Sequence, residues 1–165
     1  MTLTMTVKDH LVELGNLTDN TDTAVQRVGA RLLDELFASD ADAQSDEVLV
    51  NVLYYLTDIQ VRDYALGLLN PADPVPFISA LNRLVEIAPT DTAYINAPAS
   101  LLAVMHYELG NTADALLTLS NADEHYSLAL LLNRVFKSGW SPESFAKMRD
   151  ELHPKVVAGI FGEDN

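Results

Sequence analysis

The chain has 165 residues, with 24 acids against 10 bases, a formal net charge of -14 and no cysteine. A hydrophobic content of 48% is enough for a packed core, so wholesale disorder is excluded, and the length suits one domain with a soft lobe boundary at residues 70–76. Disulfides, thiol nucleophiles and Cys-ligated metals are excluded outright, and the negative charge argues against direct contact with nucleic acid or an anionic membrane.

The first ten residues carry no secretory pattern. No window approaches the roughly 20 apolar residues of a membrane span. A cytoplasmic location is expected. A first helix is predicted over Val7 to Leu14, with Thr6 as its cap and Gly15 as its stop. A second starts near Thr21 or Asp22, where Val25, Val28, Leu32 and Leu36 repeat at helical spacing. Ser39 to Ser45 reads as a polar linker, and Ser45 caps a third helix of Asp46 to Thr57. Asp58 caps a fourth helix carrying Ile59, Val61, Tyr64, Ala65, Leu68 and Leu69, which the proline-rich stretch Asn70 to Pro76 ends.

A fifth helix is predicted from Pro76 to Ala88, with Phe77, Leu81, Leu84 and Val85 inward. Asn96 caps a sixth that ends at Gly110, and Thr112 caps a seventh to Ser120. Asp123 caps an eighth from His125 to Lys137. Ser141 and Pro142 open a ninth, which Pro154 breaks before a final turn over Lys155 to Phe161. No alternating strand pattern and no hairpin signal occurs. The expected fold is therefore all-α, an antiparallel bundle or short α-solenoid of eight or nine helices.

Ala103, Gly110, Ala115, Leu119 and Ala122 follow the small/large pattern of a tetratricopeptide helix pair, with no second copy elsewhere. A wider set carries a family resemblance. It comprises Val61-Arg62-Asp63, Ala88-Pro89, Ala97-Pro98-Ala99, Leu101-Leu102-Ala103, Gly110, Ala113, Ala115, Tyr126-Ser127-Leu128-Ala129, Leu131-Leu132, Gly139 and Pro142. With these residues the segment 58–143 resembles the actinobacterial domain-of-unknown-function family numbered 4192. Members are typically longer, and the resemblance is not seen before residue 58. Met105-His106-Tyr107 stands where members often have a tryptophan. The resemblance implies a helical fold and an actinobacterial or phage setting, and no chemistry.

Catalytic patterns are missing. The histidines at 10, 106, 125 and 153 form no metal-binding pair, and His10 with Glu13 reads as a solvated ion-pair face. Asp40, Asp42 and Gln44 suggest a calcium loop, but Ser45 and Asn51 stand where glycine and glutamate are required. No phosphate-binding glycine loop and no nucleophile elbow is present. No cofactor is expected. Asp58 and Arg62 are spaced for a surface ion pair, and Arg62-Asp63 is expected to tie its helix to a neighbouring loop.

Six acids and no base lie between Asp34 and Glu47, a solvated face or a docking surface for a basic partner. The candidate partner-binding residues are Asp34, Glu35, Asp40, Asp42, Asp46, Glu47, Tyr54, Tyr55, Arg62, Asp63 and Trp140. The sequence thus points to a non-catalytic helical protein-interaction module, binding a basic protein or a second copy of itself. An acidic decoy that imitates nucleic acid is the alternative. A small-molecule or enzymatic cleft is the weaker one.

Overall fold

A computed structural model of the protein describes residues 6–17 and 23–162. Its helices are α1 (Val7–Leu17), α2 (Thr23–Phe37), α3 (Asp46–Tyr55), α4 (Ile59–Leu68), α5 (Val75–Ile87), α6 (Asn96–Glu108), α7 (Thr112–Leu119), α8 (Ser127–Lys137) and α9 (Pro142–Phe161). Short 3-10 turns cover Ala41–Ala43 and Ala93–Ile95, and no strand occurs among the described residues. The fold is all-α, as expected.

Helix α6 is the centre. Every residue from Asn96 to Met105 is buried, the pattern of a helix surrounded by protein. It forms a close hairpin with α7 and also receives α5, α8 and α9. Ala103 and Ala115 are fully buried at the hairpin, and Gly110 turns the chain with φ 87°. On the other side α4 lies against α9, with α2 beside both, while α1 packs on α3.

Local chemistry sets several boundaries. Ser45 accepts the Val48 amide at 3.3 Å and Ser141 accepts that of Ser144 at 3.1 Å. Asp58 accepts the Gln60 amide at 2.8 Å while holding the Gln26 side chain at 2.9 Å, so the cap of α4 is also its tether to α2.

Other expectations are corrected. Helix α1 runs through Gly15 to Leu17. The expected start at Thr21 or Asp22 falls outside the described residues, and α2 is helical from Thr23. Asn96 is not a cap, because the turn over Ala93–Ile95 runs directly into α6; its Oδ1 instead accepts the Asp123 amide at 2.8 Å. Asn111 occupies the cap position of α7, with Thr112 the first helical residue. Asp123 closes a turn by accepting the His125 amide at 2.8 Å, Tyr126 is extended, and α8 starts only at Ser127. Pro154 does not end α9. Its ring sits on the exposed side, where the one lost helical hydrogen bond faces solvent, while Arg149 and Ile160 anchor the helix on either side. Val28 and Ile59 were placed in apolar stripes, yet they are 43% and 59% exposed.

Candidate functional site

The face built by α4, α8 and α9 carries an apolar groove of about 300 Å³. Phe145 is fully buried and lines it, along with Leu66, Leu128, Leu131, Met148 and Leu152. Leu131 and Leu152 are each 45% exposed, and Trp140 stands at the Phe145 end with its ring centroid 6.4 Å from that of Phe145. The Tyr107 hydroxyl donates to the Trp140 carbonyl and fixes the turn between α8 and α9.

One end of the groove is polar. Arg62 projects from the first turn of α4 and is buried. Its Nε donates to Asp63 Oδ1 at 3.0 Å, its Nη2 stands 2.9 Å from the same oxygen, and its Nη1 donates to Ser127 Oγ at 3.2 Å. The guanidinium also lies 5.5 Å from the Tyr126 ring centroid. Arg62 therefore ties α4 to the start of α8, the tethering role expected of it. The expected Asp58–Arg62 pair is replaced, because Asp58 is engaged as a cap.

Behind the groove a second arginine does similar work on a larger scale. Arg149 of α9 grips Glu108 through Nε at 2.6 Å and Nη2 at 2.5 Å, with both side chains 1% exposed. Its Nη1 donates to the Leu66 carbonyl at 2.6 Å and the Leu69 carbonyl at 3.3 Å. These carbonyls close α4 and lack helical partners, so a buried cation there satisfies them and complements the helix dipole. Burial pushes the Glu108 carboxyl up, and Arg149 pulls it back. Arg149 lies four residues after Phe145 and three before Leu152, on an apolar stripe. A charge in that position signals a buried pair, and the sequence reading passed over it.

His153 is the remaining ionisable group of the groove. Its imidazole rests on Gly67, 5.4 Å from the Tyr64 ring centroid, and its Nδ1 is buried without a hydrogen-bond partner. Tyr64 in turn donates to Asp34 at 2.8 Å, and burial followed by that carboxylate pushes its phenol up. Burial pulls the His153 pKa down, against the attraction of Asp150 and Asp34 and with the help of Arg149. The unfolded chain thus takes up this proton near pH 6.5 and the folded chain only at lower pH. The stability it contributes is complete above about pH 6.5 and is lost as pH falls through the folded value. The thermal midpoint is expected to drop between pH 7.5 and pH 5.5, by less in His153→Leu; an equal drop in both proteins contradicts this.

The other candidate residues scatter. Asp34 is held by Tyr64, Asp40 caps the 3-10 turn by accepting the Asp42 amide at 3.0 Å, and Asp46 pairs with Arg83 at 3.0 Å. Glu35, Asp42 and Glu47 are exposed. Tyr54 is buried, and Tyr55 packs edge-on against it at 5.4 Å. Of the predicted set only Arg62 and Asp63 line the groove, and Trp140 reaches it only through its ring contact with Phe145. A separate polar recess of about 460 Å³ lies between Asp91 and Asp123.

Among the described residues no cluster of histidines and carboxylates is arranged to hold a metal ion. No helix among the described residues is long and apolar enough to cross a membrane. No curated protein and no solved structure matches the chain significantly. One family profile matches residues 7–143, which carries the resemblance back from residue 58 through α1 and leaves the groove-lining part of α9 beyond it. The chain belongs to that family, described as Domain of unknown function (DUF4192).

Proposed function

We propose that the chain is a non-catalytic helical module that binds a protein partner through the groove between α4, α8 and α9. The observation that carries this reading is the pair Leu131 and Leu152, held half exposed over an apolar floor on a protein of otherwise acidic surface. Exposed apolar rims around a recess are where partners find binding energy. The charged groups of the groove are engaged in the fold, Arg62 with Asp63 and Ser127 and Arg149 with Glu108 and two carbonyls, which leaves a catalytic reading with His153 alone. The close α6–α7 hairpin, with its small residues at the contact, supports a scaffold of tetratricopeptide-like construction. A cytoplasmic setting suits a chain without cysteine.

Quantitative capture from cells tests the reading. Each leucine buried by a partner contributes about 1.5–3 kcal/mol. Proteins retained by the native chain are therefore expected to be lost from Leu131→Glu/Leu152→Glu, whose circular dichroism stays helical, and kept by Asp42→Asn/Glu47→Gln. Retention by the leucine variant, or no retention by the native chain, sinks the reading.

A further inference from the structure

The charges beside the groove indicate what kind of segment lies in it, a step that rests on the reading just given. Helix α8 presents Ser127, Leu128 and Leu131 to the groove, and Arg134 continues that row at three residues beyond Leu131 and seven beyond Ser127. Helix α9 presents Met148 and Leu152, and Lys155 continues their row at the same spacings. Both cations are exposed. At about 100° per residue, Asp150 and Glu143 of α9 are turned nearly opposite to Leu152, while Glu151 is turned to its outer side, one helical turn before Lys155; α8 holds no acid, so Arg134 has none on its own helix. The acid on the α4 wall, Asp63, is neutralised by Arg62. The groove is thus an apolar trough between two helices with a cation on each bank.

We infer that its occupant is an amphipathic helix of a partner protein, with acidic residues flanking an apolar stripe. An α-helix laid in a groove offers apolar side chains at i, i+3, i+4 and i+7, the pattern such a trough receives. Acids beside that stripe meet Arg134 and Lys155 at contact distance, while the remaining negative charge of the protein is screened beyond about 8 Å at physiological ionic strength. A second copy of the chain fits less well. Among the described residues α1, α2, α4, α5 and α7 each expose a single large apolar residue, Val12, Val28, Ile59, Val75 and Leu117, so none of these helices presents a stripe. Symmetric pairing of the groove faces sets Arg134 and Lys155 against the same cations.

Two synthetic helical peptides of about 18 residues decide the matter, with the same leucine stripe flanked by glutamates in one and by lysines in the other. Anisotropy titration of the full chain at physiological salt is expected to show the glutamate peptide binding about tenfold more tightly. Arg134→Glu/Lys155→Glu is expected to reverse that order. Equal affinities, a preference for the lysine peptide, or no binding of either overturns the inference. So does a dimer in sedimentation that Leu131→Glu dissociates. If the peptides fail while Leu131→Glu/Leu152→Glu still loses the partners captured from cells, the groove stands and only the chemistry of its occupant falls.

Discussion

Arg149→Met is expected to destabilise the protein by about 3–5 kcal/mol, because it leaves Glu108 charged, buried and alone. Glu108 is 1% exposed at its side chain, so its carboxylate relies on the guanidinium rather than on bulk solvent. The Leu66 and Leu69 carbonyls lose their donor at the same time. The damage extends over α9, since Arg149 is the polar link from that helix to the ends of both α4 and α6. Urea denaturation followed by circular dichroism measures the loss, and limited proteolysis is expected to cut first within α9. Removing both charges in Glu108→Met/Arg149→Met is expected to recover most of the loss, because an apolar pair of similar volume carries no desolvation cost. It does not recover all of it, for the two carbonyls stay unpaired. A loss under about 1 kcal/mol for Arg149→Met contradicts this account of how α9 is held.

Gly67→Ala is the second large effect, and its sign depends on its neighbour. Alanine in a helix ordinarily gains up to about 1 kcal/mol over glycine. At Gly67 the added Cβ falls on the His153 imidazole, which the Tyr64 ring confines. The clash outweighs the propensity gain, and a net loss of about 1–3 kcal/mol is expected. With His153→Ala the ring is gone, and the same Gly67→Ala change is expected to stabilise. Thermal unfolding of the four proteins in a double-mutant cycle checks the reversal. Stabilisation in both backgrounds contradicts the close approach of α4 and α9.

What the sequence discloses is what neighbouring residues decide among themselves. Ser45, Asp58 and Ser141 are caps by virtue of their own side chains, and Gly110 and Gly139 turn the chain because φ near 80–90° favours glycine. The buried face of α2 is a different matter. Its residues support two apolar rows, one through Val28 and one through Leu33. The choice falls to Gly29, where a Cβ would lie 3.0 Å from Val61, so α4 crosses there and turns Val28 outward. Pro154 is likewise overruled by contacts distant in sequence, among them the Arg27 Nε donating to the Ile160 carbonyl at 2.8 Å.

The groove belongs to this second kind. Three segments make it, the one on α4 some sixty residues before those on α8 and α9, and no local pattern in any one of them reveals the other two. Arg62 and Asp63 were legible as a tether, whereas Arg149, Glu108 and the seat of His153 on Gly67 depend on the packing of α9. The acidic stretch from Asp34 to Glu47 stood out in sequence because no base interrupts it. Folding brings Arg83 to Asp46 and Tyr64 to Asp34, which leaves it less charged and less free than its composition promises.

Hydrogen–deuterium exchange on the chain, free and bound to a partner it retains from cells, tests the central claim most directly. Slowed exchange over residues 127–137 and 145–156, with 34–47 unchanged, is the predicted pattern. Slowing confined to 34–47, with α8 and α9 as fast as in the free protein, would contradict it and move the binding face to the acidic side.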